Sequence, residues 1–201
     1  MDGTDLSNVV VAIDLGTSRS AWAYSIQGRA EDVVLVRIPS ESKVSEGGDA
    51  LNAKTETAIL LDEEGGYLRF GHAACKQFFE MEEERIVTQE EATEIEEDAH
   101  CPGKRGLLFR CFKMGLGKRE GYRSIKGPVA KAVGGEKLPL IVVMTAALQC
   151  FKVDILRHLS SVFPTSQRAE DIVWVLTVPA IWDDYAKNFM RQAAHKAGLV
   201  T

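Results

Sequence analysis

"VVVAIDLGTSRSAW", residues Val9 to Trp22, runs from an apolar segment into an acid, a glycine and a cluster of hydroxyl side chains. The continuously apolar start, Val9 to Ile13, predicts a β-strand that is covered on both faces. Asp14 follows where this strand emerges, so its carboxylate is expected to project from the end of the sheet. Gly16 allows a tight turn and a close approach of the backbone to a ligand. A surface hairpin needs only the glycine, so the other polar groups raise the question of a binding site.

The turn after the first strand carries groups that can hold a phosphate and its metal ion. Successive N–H groups of Thr17, Ser18 and Arg19 can form a concave anion site, and the hydroxyls add donors. The carboxylate of Asp14 can hold waters of a magnesium ion, which prefers oxygen ligands and keeps much of its hydration shell. The D-x-G-T motif is short, so these residues alone leave a phosphate site and a decorated hairpin turn equally open.

Hairpin signals place this turn in a small antiparallel meander. Strands are predicted at Val9–Ile13, Ala21–Ile26 and Asp32–Ile38, and Pro39 ends the third. Because two short connections join the three strands, neighbouring strands are expected to run antiparallel.

The last third of the chain has the pattern of a helix, a strand and a second helix. A helix that is apolar nearly all round is predicted from Leu140 to about Leu159, and a core strand from Asp171 to Val178. Asp183 or Asp184 can cap a closing helix whose apolar residues recur at helical spacing, and Gly198 ends it. With the meander, this order predicts an α/β fold of the ribonuclease-H-like type with an inserted subdomain. One further parallel strand is expected beyond the end of the chain.

The insertion, residues 40–137, combines strand and helix signals with two charged stretches. Two short strands and a helix that ends near Met81 are predicted between Thr57 and Met81. A strongly acidic run from Glu80 to His100 is followed by a basic stretch from Gly103 to Lys131. Both stretches are typical of solvated surface with weak attraction between them.

The composition is that of an ordinary globular protein. The 201 residues carry a formal net charge of −5, and 45% of them are hydrophobic. The N-terminus lacks the features of a signal peptide, and the most apolar run, Leu138–Phe151, is shorter than a bilayer span. The four cysteines and four histidines show no metal-ligand spacing, so free thiols and no metal held by these side chains are expected. We expect a cytoplasmic protein with no membrane partner. We also expect no nucleic-acid partner, because the chain is acidic and has no nucleic-acid motif.

Four segments occur in the order and approximate spacing of one ATPase superfamily. They are "AIDLGTSRSAWA" (Ala12–Ala23), "FRCFKMGLGKR" (Phe109–Arg119), "TVPAIWDD" (Thr177–Asp184) and "AAHKAGLV" (Ala193–Val200). Together they resemble the actin-like ATPase superfamily, and most of all its 70-kDa heat-shock chaperones. "NAKTETAILLD", "FGHAACKQF", Trp174 and Trp182 are more similar to the atypical heat shock 70 kDa protein 12 branch. The resemblance covers Val9 to Thr201 and is weakest through the acidic run.

The resemblance implies that ATP lies in a cleft between two lobes, with its phosphates held by two hairpin loops and magnesium. By that resemblance, Asp14 would order the water shell of the magnesium ion. Gly16, Thr17 and Ser18 would form the first phosphate loop, with the two hydroxyls on phosphate oxygens. Lys113 would reach the γ-phosphate and help to orient the attacking water. Phosphoryl transfer asks the protein for such positioning and charge stabilisation more than for covalent chemistry.

Three other residues receive roles from the same resemblance. Gly117 corresponds to the glycine that follows the phosphate-site lysine. Pro179 and Trp182 are expected to be structural, the first as the end of a strand and the second as filling near the cleft.

The resemblance also divides the chain and implies what it lacks. Residues 8–39 and 138–201 would form the ribonuclease-H-like core of the first lobe, and 40–137 the inserted α+β subdomain. The chain ends after "AGLVT", before the family's second phosphate loop and adenosine pocket, so we expect no second lobe. We therefore expect weak nucleotide binding and little or no hydrolysis by this chain alone. An uncovered sheet edge or the acidic run would be available to protein partners.

Three functions compete on the sequence alone. The favoured hypothesis is the ATP-binding half of an atypical heat-shock-70-type ATPase. A second is a protein-interaction module that keeps the fold without nucleotide turnover. A third is a metabolite kinase of the same superfamily, which shares D-x-G-T but is not expected to carry "TVPAIWDD" and "FRCFKMGLGKR" together.

Overall fold

Strands and helices are interspersed along the chain, so the fold is of mixed α/β class. The computed structural model describes residues 9–26, 33–36, 54–92, 105–116, 127–163 and 172–200. The strands in these ranges are β1 (Val9–Leu15), β2 (Arg19–Ile26), β3 (Val34–Val36), β4 (Thr55–Glu56), β5 (Ala58–Leu61), β6 (Tyr67–Phe70), β7 (Leu107–Arg110), β8 (Val129–Lys131), β9 (Lys137–Pro139) and β10 (Ile172–Leu176). The helices are α1 (His72–Ala92), α2 (Leu140–Val162), α3 (Asp184–Lys196) and a 3₁₀ helix (Phe112–Leu116).

Within the described ranges, the largest sheet has five strands and contains β1. Its order is β10-β1-β2-β3, and β4 pairs with the start of β2. β1, β2 and β3 are antiparallel neighbours, which confirms the predicted meander. β10 runs parallel to β1, with Val9 opposite Ile172 and Ile13 opposite Leu176. This pairing brings the end of β10 beside the end of β1.

The described residues cover only one face of this sheet closely. Residues of β1 alternate between buried and half-buried, and β10 lies at the sheet edge with Val173 49% and Val175 42% exposed. Among the described residues, the prediction that β1 is covered on both faces is therefore wrong, and β10 is an edge strand and not a core strand. The apolar pattern misled because β-branched residues also favour a strand on a half-exposed surface.

Helix α2 fills the covered side of the sheet, as its nearly all-round apolar sequence predicts. Leu140, Met144, Phe151 and Leu159 are fully buried along its length. The helix begins at Leu140 as predicted and ends at Val162, slightly beyond the predicted end. Its packing against the strands of the main sheet forms the centre of the largest apolar cluster.

Helix α3 has the boundaries that its sequence predicts. Asp183 is the N-cap, since its side-chain Oδ1 accepts from the backbone N–H of Ala186 at 2.9 Å. Gly198 follows the C-cap with a φ of +70°, a left-handed conformation that favours glycine. The buried face is formed by Ala186, Phe189, Met190, Ala193 and Ala194.

A second sheet, of order β6-β5-β7, lies between α1 and α2. Alternate residues of β5 point in opposite directions, as a strand requires. Leu60 packs with Phe78 of α1, whereas Ile59 and Leu61 belong to the cluster around α2. The face of this sheet that carries Ile59 and Leu61 therefore shares one apolar core with α2 and the main sheet.

Two predictions for the charged stretches need correction. The first half of the basic stretch is not solvated surface, because Leu108 and Phe109 of β7 and Phe112 of the 3₁₀ helix are buried. Helix α1 does not end near Met81 but continues to Ala92 through part of the acidic run. The overall charge of each stretch concealed these shorter structural signals.

The division of the chain into a core subdomain and an insertion stays a prediction. Within the described ranges, none of the helices combines the length and the apolar character that crossing a bilayer requires.

Candidate functional site

The turn between β1 and β2 is fixed by its glycine and by the chain next to it. A Cβ on Gly16 would collide with the carbonyl oxygen of Arg19, so a close backbone approach requires glycine here. The N–H of Thr57 donates to the carbonyl oxygen of Ser18 at 2.9 Å. Thr17 is half-buried and Ser18 is exposed, and their hydroxyl and N–H groups donate to no other described residue. The turn therefore offers donors to a ligand at the end of β1.

Asp14 is held beside this turn by two side chains from distant parts of the chain. Lys54 Nζ lies 2.7 Å from Asp14 Oδ2, and the hydroxyl of Thr177 donates to Asp14 Oδ1 at 3.0 Å. Burial raises the pKa of Asp14, but these two hydrogen bonds and the charges of Lys54 and Lys113 outweigh burial and hold the pKa below its usual value. Asp14 is therefore a carboxylate near neutral pH, and its side chain is 43% exposed.

Lys113 approaches the same site from the 3₁₀ helix, and its side chain is almost fully buried. The residue is only 5% exposed, and its ammonium donates to the carbonyl oxygen of Leu15 at 2.5 Å. The ammonium also lies 5.0 Å from the centre of the Trp182 ring, within cation–π range. Burial lowers the pKa of Lys113, and attraction to Asp14 opposes that shift. Lys113 therefore does not belong to the solvated surface that was predicted for the basic stretch.

The structure brings most of the predicted site residues to one place. Asp14, Gly16, Thr17 and Ser18 follow one another at the end of β1, and Lys113 contacts Leu15 between them. Gly117 lies outside the described residues.

Trp182, which we expected to be structural, forms one side of the environment of Lys113 through its ring. Pro179 follows β10, as expected for a residue that ends a strand, and its carbonyl oxygen accepts from the N–H of Trp182 at 3.1 Å.

Sequence reasoning missed two residues that contact Asp14, Lys54 and Thr177. Thr177 opens the motif "TVPAIWDD", and its own N–H donates to the carbonyl oxygen of Ile13 at 3.0 Å, which extends the pairing of β10 with β1. A hydroxyl directly after a parallel strand was a signal that could have placed Thr177 beside Asp14. Lys54 gave no such signal, because its position depends on the pairing of β4 with β2.

The donor set at this site fits a polyphosphate with a hydrated magnesium ion. Asp14 supplies carboxylate oxygens, which accept hydrogen bonds from metal-bound water. Lys54 and Lys113 carry ammonium groups, and Thr17 and Ser18 carry hydroxyl and backbone N–H donors. Groups of these kinds can bind phosphate oxygens. Two cations and one anion leave a local excess of positive charge, which favours an anionic ligand.

Comparison with known proteins identifies relatives across nearly the whole chain. No protein-family model matches the chain. Heat shock 70 kDa protein 12B of Homo sapiens is 33% identical over 196 residues, which are 96% of this chain and 25% of that protein. Heat shock 70 kDa protein 12A of Homo sapiens and of Mus musculus is 34% identical over 195 residues, with the same two shares. The chain thus spans 25% of the length of the curated relatives it matches. These identities confirm the resemblance that the motifs predicted: the chain is a homologue of heat shock 70 kDa proteins 12A and 12B.

Proposed function

We propose that this chain supplies the first phosphate-binding loop of an ATP-binding domain of the atypical heat-shock-70 type. The observation that carries the proposal is the convergence of Asp14 and Lys113 on the turn at Gly16–Ser18. Homology to heat shock 70 kDa proteins 12A and 12B supports a nucleotide as the ligand. The ligand would be ATP with Mg²⁺. ATP would supply the reacting phosphoryl group, and Mg²⁺ would neutralise its negative charge.

The fold that accompanies this proposal is a ribonuclease-H-like core with an inserted α+β subdomain. Residues 8–39 and 138–201 would form the core, and 40–137 the insertion. The parallel pairing of β10 with the antiparallel meander supports the core, and the separate sheet of β5, β6 and β7 supports the insertion. In this arrangement, both Asp14 and Thr177 lie at the same end of the core sheet.

The residues of the turn would bind and orient the phosphates. Asp14 would accept hydrogen bonds from the hydration shell of magnesium, for which its lowered pKa keeps it ionised. Thr17 and Ser18 would donate to phosphate oxygens from a backbone whose shape is fixed by Gly16 and by the contact with Thr57. A preformed loop loses little conformational entropy when it binds, so rigidity here favours affinity.

Lys113 would stabilise charge at the terminal phosphate. Its ammonium is held by the carbonyl oxygen of Leu15 and the ring of Trp182, so its place is set before a ligand binds. Removal of a preorganised donor that faces developing charge lowers the rate by about 10²- to 10³-fold. Lys113 is therefore our candidate for the catalytic residue of hydrolysis in the whole protein.

We expect this chain alone to bind ATP weakly and to hydrolyse little of it. The described site would contact phosphate and magnesium, and we assign no adenosine contact to these residues. Phosphate contacts without a site for the base leave much of the potential binding energy unused.

Site-resolved NMR on the 201-residue chain tests the proposal, because chemical shifts detect weak binding. We expect ATP with Mg²⁺ to shift the amide signals of Gly16, Thr17 and Ser18. A titration up to about 10 mM ligand detects a Kd of ~1 mM. Lys113→Met is expected to reduce the affinity, whereas Lys76→Met, on the exposed surface of α1, is the matched control. Shifts confined to other regions, or none at all, would refute the proposal.

A second candidate function, a protein-interaction module, is favoured by the open edge of the main sheet. β10 has no strand on its outer side among the described residues, and Val173 and Val175 are exposed on one face. Exposed strand edges promote association through backbone pairing. On this account the chain self-associates at high concentration, and Val175→Lys reduces the association while leaving the ATP-induced shifts at Gly16–Ser18 unchanged. Sedimentation that shows only monomer over the accessible concentrations would argue against it.

A further inference from the structure

Lys54 reaches Asp14 across an intervening strand. β4 pairs with β2 so that Thr55 is opposite Ser20, and the next position along this register places Lys54 beside Ala21. Ala21 is itself opposite Asp14 in the pairing of β1 with β2. Residues directly opposite each other share one face of a sheet, so these three residues form a row. The small side chain at Ala21 leaves room for the long side chain of Lys54 to pass over it.

The contact between Lys54 and Asp14 is of a kind that exchanges easily. The two atoms are 2.7 Å apart, but the side chains are 49% and 43% exposed. Surface ion pairs of this exposure contribute little to the stability of a fold. The ion pair therefore does not hold Lys54 firmly, and its exposed ammonium is available to a ligand at the site.

The other lysine of the site has the opposite character. Lys113 is buried and anchored by the carbonyl oxygen of Leu15, so it can serve a ligand only from a fixed position. Lys54, just before β4, instead reaches Asp14 with an exposed side chain that has many rotamers. Of the other charged groups near this edge, Glu56 is already paired with Arg110. Arg19 is a further exposed cation beside the turn. Lys54 differs from it in being paired with Asp14, so the ammonium of Lys54 can move from the carboxylate to an incoming anion.

We propose that Lys54 is an exchangeable phosphate ligand, which pairs with Asp14 before binding and transfers its ammonium to the phosphates when a polyphosphate enters. This role rests on the proposed function, because it assigns one more contact to the same phosphate site. Hydrated magnesium would compete with Lys54 for the oxygens of Asp14, so metal binding would release the ammonium towards the phosphates. No bond is formed or broken covalently in this exchange.

A binding experiment with inorganic triphosphate in the absence of Mg²⁺ separates direct contact from mere neutralisation of Asp14. The readout is the amide shift of Gly16, Thr17 and Ser18 in the full 201-residue chain, which reports affinity without any activity. Lys54→Gln is measured in the native background and in the Asp14→Asn background. Because a charge-assisted hydrogen bond is lost in both, we expect triphosphate binding to weaken about 5- to 10-fold in each.

The control is Lys76→Gln, which removes an exposed lysine paired with Glu80 at 3.6 Å on α1 and is expected to leave affinity unchanged. If Lys54→Gln weakens binding in the native background but not with Asp14→Asn, Lys54 only neutralises the carboxylate and our proposal is wrong. Unchanged affinity in both backgrounds would also overturn it while leaving the proposed function in place. If the unmodified chain shows no shifts at the turn, the proposed function fails first, and the role of Lys54 fails with it.

Discussion

Substitution of Gly16 by alanine tests whether the turn after β1 has the rigid shape that the site requires. Gly16 does not have a left-handed backbone conformation, so alanine meets no φ penalty there. The added Cβ would instead collide with the carbonyl oxygen of Arg19. Arg19 begins β2 and is opposite Glu56 of β4, so this carbonyl cannot move without disturbing the sheet.

The cost of this collision follows from the behaviour of overpacked sites. Inserting a methyl group where the backbone must shift destabilises a protein by about 1–3 kcal/mol. For a chain of this length, each kcal/mol lowers the Tm by about 2–4 °C. We therefore expect Gly16→Ala to lower the Tm by about 2–12 °C and to weaken phosphate binding, since the amides of the turn are displaced.

Gly134→Ala is the matched control, because Gly134 also lies in a hairpin turn without a left-handed φ. Its added Cβ would meet the end of the Glu136 side chain, which can rotate away at the loss of a partly exposed ion pair with Arg105. A change within about 0.5 kcal/mol is expected. Thermal and urea unfolding of both variants measure the difference. Equal stability of the Gly16 and Gly134 variants would refute the claim that backbone contact fixes the turn.

Three further predictions concern the elements that support the site. Asp183→Ala should destabilise the chain by about 1 kcal/mol through loss of the cap, whereas Asp184→Ala should have a smaller effect; urea unfolding in which the order is reversed would contradict the capping assignment. Phe151→Ala should cost about 3–5 kcal/mol, because its ring is fully buried and packs edge-on against Phe70; retention of the native Tm would show that this packing contributes little. Burial raises the pKa of Asp154 above its usual value, so its contribution to stability is present at low pH and is lost as pH rises through the raised pKa. Asp154→Asn should therefore raise the Tm more at pH ~7 than at pH ~4, and an equal change at both would rule out this titration.

Local sequence patterns predict those elements whose boundaries are set by neighbouring residues. The meander of β1–β3 follows from short apolar runs and tight connections, and α3 follows from the cap at Asp183, the helical spacing and Gly198. In these cases the interactions that decide the structure lie within a few positions along the chain.

Long-range packing decides what the sequence alone leaves open. The basic stretch around Lys113 has a polar composition, yet Lys113 is buried and donates to the carbonyl oxygen of Leu15, 98 positions away. The place of Lys54 depends on the register of β4 against β2, because a slip of one residue would move its side chain to the other face of the sheet. Helix α1 continues through acidic residues because glutamate has a high intrinsic helix propensity, which net charge does not reveal.

The magnesium dependence of ATP binding tests the central claim most directly, because Asp14 is the residue through which metal and phosphate would be linked. The measurement is the Kd of ATP with and without Mg²⁺, for the unmodified chain and for Asp14→Asn, by amide shifts at the turn. We predict that Mg²⁺ tightens binding to the unmodified chain at least about fivefold, and that Asp14→Asn removes most of this effect. An equal effect of Mg²⁺ on both proteins would contradict the account.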